Sequence, residues 1–409
     1  MYPTDKPPFS SQPPGGDVRD NDPISRAPAS HHRKVALVLP GGGARGAYQA
    51  GMLARLGEKK LLSKMRIITG VSAGAINGVF LANHPKGLDQ AAIDLAEMWA
   101  NLETPRVLGT SPMGLLGNVT RWAGQLLSGG SLPLPAPEAL MDTTPLRELL
   151  HTHLGRGENE LAGLTENLRK GVLDAVAVTT TNYSTARAIT FAQQRPHAAA
   201  IEWHRPYREG RAAQLSVDHV MASAAIPVLF PAVKLGNSWH GDGSIRQTAP
   251  LSPALHLGAD KLLILGTSGL PAKAEPQANV EVPYPSPAQV VGVVLNAILF
   301  DHISYDIQNL KRINELVRQS NMPSPLGLRV IETVVLRPTA DLGALAAAHE
   351  RDLPRSLQYL TRGWGSKAGE GSDMLATVTF DHRYTEQLVE LGREDADRHM
   401  AELRTFIET

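Results

Sequence analysis

Cysteine is absent from the 409 residues, which removes disulfides, thiol nucleophiles and thiolate metal sites together. The absence leaves the redox compartment open, because a cysteine-free chain can work in either environment. A net charge is absent too: 40 Lys and Arg balance 40 Asp and Glu, so no global field draws the chain to nucleic acid or to an acidic bilayer. No run reaches the roughly 18 unbroken apolar residues of a membrane span, and the first residues lack the basic-then-apolar layout of a secretory signal. These absences predict a soluble, cytoplasmic protein whose contact with any membrane is peripheral, local and apolar. What is present is a globular balance, 42% hydrophobic and 20% charged, in a chain long enough for one large α/β domain with insertions or for two domains.

Residues 1–33 are dense in Pro, Ser, Gly and charge and too poor in apolar residues for a core, so they predict a disordered arm. At Lys34 the texture changes. KVALVL reads as a buried parallel strand, GGGARG as a tight loop and AYQAGMLARLGEKK as a helix. The unit repeats as MRIIT, GVSAG and AINGVFLAN, and two consecutive strand–turn–helix units imply a mostly parallel sheet flanked by helices. Further strands are predicted at DAVAVTTTNY, ARAITFA, PAVKL, KLLILGT and LRVIETVVL, and helices at LDQAAIDLAEMWANL, SVDHVMASAAI, 288–317 and 385–407. No repeat of 20 to 50 residues is evident. The division that follows is an arm, an α/β core over 34–270, and a helical and sheet-edge extension of the same domain over 271–409.

Residues 102–142 carry scattered Pro and Gly and are too long for an ordinary connection. Within them Leu115, Val119, Trp122 and Leu126 share one helical face. That face suits either a helix packed on the body or a mobile cover over an apolar site.

Three short motifs carry chemistry. Gly70-Val71-Ser72-Ala73-Gly74 is a G-x-S-x-G pattern between a predicted strand and a predicted helix, the context of a nucleophile elbow. Such a turn lifts a serine hydroxyl above the sheet edge, at a helix N-terminus that favours a developing oxyanion. Gly41-Gly42-Gly43-Ala44-Arg45-Gly46 also follows a strand and opens a helix. Its amides suit either phosphate oxygens or the oxyanion of a tetrahedral intermediate. A dinucleotide site would require an acidic residue at the end of the next strand, about 20 positions on; that strand ends in Gly70-Val71-Ser72.

Asp242 stands between Gly241 and Gly243, where the backbone turns tightly enough to approach a neighbouring loop. This placement suits a general base, although Asp-Gly is also a common turn pair. Carboxyl ends of strands in an open α/β sheet share one crevice, so the loop at 41–46, Ser72 and Asp242 could converge. With 14 histidines in the chain, a Ser–Asp–His triad stays open, and His240, two residues from Asp242, is its candidate. His256 falls on a predicted helix. His151 and His153 form a pair without a third ligand at metal spacing, so no metal and no cofactor is expected.

GGGARG, GVSAG and DGS, in this order and at these separations, resemble the oxyanion loop, nucleophile elbow and aspartate motif of the bacterial patatin-like phospholipases. MASAAIPVLFPAV, residues 221–233, resembles the segment leading into that aspartate. The similarity runs from about Lys34 to Thr267. It implies a lipid acyl hydrolase with a Ser72–Asp242 dyad, no catalytic histidine and an oxyanion hole of amides from Gly42, Gly43, Ala44 and Ala73. Gly41, Arg45, Gly46, Gly70, Gly74 and Gly243 would support it, with Arg45 orienting the loop. The implied partner is a lipid or membrane surface, not nucleic acid. A thioesterase or acyltransferase would share the dyad, and a non-catalytic nucleotide-binding module would use only the Gly-rich loop. One departure stands out: Ser244 occupies a position where the family usually has Gly or Ala. Its hydroxyl could bond to Asp242 and alter that residue's basicity.

Overall fold

The computed structural model describes residues 33–409 except 110–113, 115–116, 122–123, 125–127, 129–138, 156, 158–159, 199–201, 270–283, 285–289, 291–292, 295–296, 298–301, 321–327 and 362–369. The predicted arm and Leu115, Trp122 and Leu126 of the predicted cover therefore lie outside the described residues; Val119 lies inside them and is exposed.

Among the described residues there are ten strands, β1 (Val35–Leu39), β2 (Met65–Val71), β3 (Ala175–Asn182), β4 (Arg187–Gln194), β5 (Trp203–Arg205), β6 (Arg208–Ala212), β7 (Val233–Leu235), β8 (Ser238–Asp242), β9 (Lys261–Leu265) and β10 (Glu332–Leu336). They form one sheet in the order β10-β9-β1-β2-β3-β4-β6-β5, with β8 paired to both β3 and β7. From β10 to β3 every neighbouring pair is parallel. The antiparallel pairs are β3 with β4, β3 with β8, β5 with β6 and β7 with β8. The expected mostly parallel sheet is present in its site-bearing half. Three strands were not foreseen, β5, β6 and β8. Each has five residues or fewer, as in WHR and SWHGD, and carries charge or His where an alternating apolar pattern would be needed to see it.

β1 shows how the core divides. Leu37 and Leu39 point into one apolar cluster, shared with helices α1 (Gly46–Glu58), α2 (Ala73–Asn83) and α3 (Leu88–Ala100), while Ala36 and Val38 point into a second with Leu262, Ile264 and Ile307. The two-residue period of a strand buried on both faces produces this split. α2 is buried at every position, as a helix apolar all round must be.

The C-terminal segment predicted as one helix is two, His382–Arg398 and Met400–Glu408, parted at His399. The first is tied to α1 where the Tyr48 hydroxyl donates to Asp395 at 2.9 Å. Asp395 also accepts from the Thr339 amide and hydroxyl at 3.0 and 2.8 Å. Burial beside that carboxylate raises the Tyr48 pKa far above its ordinary value, so the phenol stays a donor. Among the described residues no helix is long and apolar enough to cross a membrane.

Candidate active site

Ser72 sits on the turn between β2 and α2 with φ 54° and ψ −129°, a conformation that L residues rarely hold. The strain is held by neighbours. The Ser72 amide donates to Ser223 Oγ at 2.9 Å, and that hydroxyl donates to the Thr179 carbonyl at 2.7 Å. The Ser72 carbonyl opens α2 by accepting from the amides of Ala75 and Ile76. Glycine is required on both sides: a Cβ on Gly70 would lie 2.3 Å from the Gly74 carbonyl oxygen, and one on Gly74 would lie 2.0 Å from that of Leu39.

Asp242 reaches Ser72 by a change of partner along β3. Thr179 pairs with Val71, the last residue of β2. The next residue, Thr180, pairs with Asp242, the last residue of β8. β8 thus takes over the β3 edge at the point where β2 leaves it for the elbow. Asp242 ends β8, which runs antiparallel to β3. Gly243 packs so closely on the Thr179 carbonyl that a Cβ there would lie 2.1 Å from it.

The Asp242 carboxylate accepts from the Ser244 amide at 2.8 Å, and the Ser72 and Ser244 hydroxyls lie beside it. Burial raises its pKa to about 6, with the Ser244 amide, Ser72 and the Ser244 hydroxyl each pulling it back down. The bond from Ser244 is thus made by its backbone amide, and its hydroxyl lies beside the same carboxylate.

His240 does not join this pair. Its Nδ1 lies 2.9 Å from Thr180 Oγ1 and its Nε2 lies 3.4 Å from the Asn182 side-chain amide. Burial, with Arg211 nearby, lowers its pKa to about 4, so the ring is neutral. His256 is stacked on Trp203 at 4.5 Å between ring centres. His151 Nδ1 faces the Gly155 carbonyl at 3.1 Å, and His153 is tilted against Phe80 at 5.9 Å. Elsewhere, His349, Asp352 and Asp381 bring ligand-type atoms within 4.8 Å of one another. Arg383 already occupies both carboxylates, through its guanidinium on Asp352 and its amide on Asp381.

The Gly-rich loop makes a short helical turn, Gly43–Arg45, ahead of α1. The first amides of such a turn have no acceptor within it. Gly43, Ser72 and Ala73 line one cavity. Gly42 instead packs on Thr267, Ala44 is fully buried, and Gly46 packs between Trp99 and Ala73. The buried Arg45 guanidinium bonds to the Gly42 carbonyl at 3.4 Å, Ser268 Oγ at 3.4 Å and Thr377 Oγ1 at 3.2 Å, so it braces the loop. Thr267 donates to the Gly41 carbonyl at 2.5 Å.

The cavity measures about 500 Å³. Among the described residues its wall is apolar, with Ile76, Trp99, Leu149, Phe230 and Phe380 in the lining and no charged side chain. A nucleotide would need polar partners there, whereas a hydrocarbon chain would not.

Sequence reasoning missed Ser223, Thr267, Ser268, Thr377 and Phe380. Thr267 and Ser268 follow β9 and were findable as residues at the carboxyl end of a strand. Thr377 and Phe380 come from the last 33 residues and carry no motif.

Compared with solved structures, the chain is 13% identical to VipD from Legionella pneumophila, covering 91% of this chain and 67% of that one at a TM-score of 0.36. It is 16% identical to the type III effector protein ExoU of Pseudomonas aeruginosa, covering 91% and 53% at 0.35. For human GIVD cytosolic phospholipase A2 the figures are 14%, 92% and 60% at 0.43. The chain thus spans between about half and two thirds of those chains' lengths. No curated protein matches it. The family model for patatin-like phospholipase matches residues 37–255, more than half of the chain and the span that holds the Gly-rich loop, the elbow and Asp242. The chain belongs to the patatin-like phospholipase family.

Proposed function

We propose that this protein hydrolyses acyl esters of lipids with Ser72 as nucleophile and Asp242 as the only general base. The observation that carries the reading is the buried Ser72 side chain, set in the wall of an apolar cavity and beside the fully buried Asp242 carboxylate. With an acyl chain in that cavity, Ser72 Oγ attacks the ester carbonyl carbon while its proton passes to Asp242. The carbonyl π electrons move to oxygen, and the amides of Gly43 and Ala73, which flank Ser72 in the cavity wall, are the best-placed donors to that oxyanion. Gly42 and Ala44 complete the loop that aims them. Collapse of the intermediate breaks the ester C–O bond, and Asp242 returns the proton to the departing alcohol. Water, deprotonated by the same carboxylate, then releases the fatty acid and restores Ser72.

Burial suits Asp242 to this work. A carboxylate near pH 4 is too weak a base, and one raised to about 6 is ionised at neutral pH yet more basic. A fluorophosphonate probe should label Ser72 and leave Ser72→Ala unlabelled, read by mass spectrometry of the modified peptide. Label on another serine would sink the assignment.

A further inference from the structure

Two hydrogen bonds at the end of the helix Val217–Ser223 reach the two members of the Ser72–Asp242 pair. Ser223 Oγ accepts from the Ser72 amide at 2.9 Å, and two residues on, the Ala225 carbonyl accepts from the Asp242 amide at 2.8 Å. Ser72 comes from the turn after β2 and Asp242 from the end of β8. Ala224 and Ile226, the residues that alternate with these two, line the apolar cavity. Residues 223–226 therefore touch the turn of the nucleophile, the strand of the base and the acyl wall at once.

The Ser223 hydroxyl is fully committed. It has one proton, which goes to the Thr179 carbonyl at 2.7 Å. An amide can only donate, so the same oxygen meets Ser72 through a lone pair. The side chain is fully buried. With its proton held by Thr179, it has none to give to a substrate or to Asp242, and geometry is what it can contribute. Thr179 is the point at which β3 changes partners, pairing with Val71 beside the nucleophile while Thr180 pairs with Asp242. Gly243 packs against the very carbonyl that Ser223 holds. Ser72 itself has φ 54°, a backbone that persists in a serine only where its surroundings fix it. Its carbonyl is fixed by the first turn of α2, and the single proton of its amide goes to Ser223.

We infer that Ser223 is a positioning residue for the nucleophile, and that residues 223–225 clamp Ser72 and Asp242 at a fixed separation. The inference rests on the acyl hydrolase reading above and adds to it what holds the two groups in register.

The test compares Ser223→Ala with the wild type on monomeric 4-nitrophenyl octanoate, with Asp395→Asn, which weakens the fold far from Ser72, as the control. Ser223→Ala should lower kcat by about tenfold to a hundredfold, the scale of a small misplacement of a reacting group, and leave KM within about twofold. Fluorophosphonate labelling of Ser72 should slow in proportion. In hydrogen–deuterium exchange at residue resolution, the Ser72 amide should lose protection while those of Ala75 and Ile76, bonded to the Ser72 carbonyl, keep theirs. Should Ser223→Ala not fold, Ser223→Cys carries the same comparison with a smaller fall, because its thiol bonds more weakly from the same place. A kcat close to that of the wild type would overturn the inference. Equal falls in Ser223→Ala and Asp395→Asn would overturn it too, by marking a general effect of lost stability. If the wild type hydrolyses nothing and its Ser72 resists the fluorophosphonate, the hydrolase reading itself has failed. Exchange of the Ser72 amide then still decides the clamp: equal protection in the wild type and in Ser223→Ala would show that Ser223 does not hold the turn.

Discussion

The part of the chain before residue 270 and the part after 328 contribute to the same site in different ways. The first supplies the groups proposed for the chemistry: Ser72, Asp242 and the amides of the Gly-rich loop. The second supplies none of these. It places Thr377 behind Gly43 and Arg45 and Phe380 in the apolar wall. It also clamps α1 through Asp395. A motif search sees only the first part, because reacting groups need fixed residue types. Supports and walls need only size, polarity and position, so many sequences can provide them.

Changes in the first part should therefore cost activity far more than stability, and Asp242→Asn should show this most sharply. It should lower kcat by roughly a thousandfold, since the amide cannot take the proton. It should also stabilise the fold at pH 8. The folded pKa of about 6 lies above the ordinary 3.8, so the stability associated with this group is complete below pH 3.8 and is lost as pH rises through 6. Keeping the carboxylate ionised thus costs the wild type about 3 kcal/mol at pH 8, a cost the amide avoids. Thermal melts should show the Asp242→Asn variant gaining on the wild type at pH 8 and losing that gain at pH 4. His240→Ala, whose ring bonds only Thr180 and Asn182, should reduce kcat much less; a loss as deep as that of Asp242→Asn with the fold intact would restore the triad.

The reverse pattern is expected in the second part. Asp395→Asn disturbs a buried carboxylate that accepts from Tyr48, Thr339 and Arg398. It should cost about 2–3 kcal/mol in urea denaturation, with kcat per folded molecule nearly unchanged at low temperature. A large fall in kcat at full stability would dissolve the contrast between the two parts.

Phe380→Leu tests the wall alone. The swap should cost under about 1.5 kcal/mol in stability. It enlarges the cavity, so the preferred acyl chain should lengthen, each added methylene being worth about 0.8 kcal/mol, or roughly fourfold in kcat/KM. An unchanged chain-length profile would remove Phe380 from the acyl site.

The smallest effect should come from Ser244→Ala. Activity should rise with pH through about 6 in the wild type, as the carboxylate form of Asp242 fills. The Ser244 amide donates to that carboxylate, and the nearby hydroxyl, which the substitution removes, lowers the carboxyl pKa further. Loss of a donor to the charged form raises the pKa, so the ascending limb should move to higher pH. A shift the other way would show that the hydroxyl does not donate to Asp242.

Much was legible in the residues themselves. The strands at β1, β2, β3 and β9 could be read because a parallel strand buried on both faces is a continuous apolar run. The elbow could be read because its turn demands glycine on both sides of the serine. The missed strands β5, β6 and β8 are short and carry charge or His, so no apolar alternation marks them. The break at His399 was invisible because helical periodicity continues across it.

Local residue types alone carry the motifs proposed to react and the α/β alternation that lifts Ser72 to a strand end. Tertiary structure decided which carboxylate meets that serine. It did so by letting β8 replace β2 along the edge of β3, a pairing between residues about 60 positions apart. It also decided the environment of each charge. The raised basicity of Asp242 and the neutrality of His240 both follow from burial and from neighbours brought from distant parts of the chain, and desolvation is a property of the assembled molecule that no single residue carries.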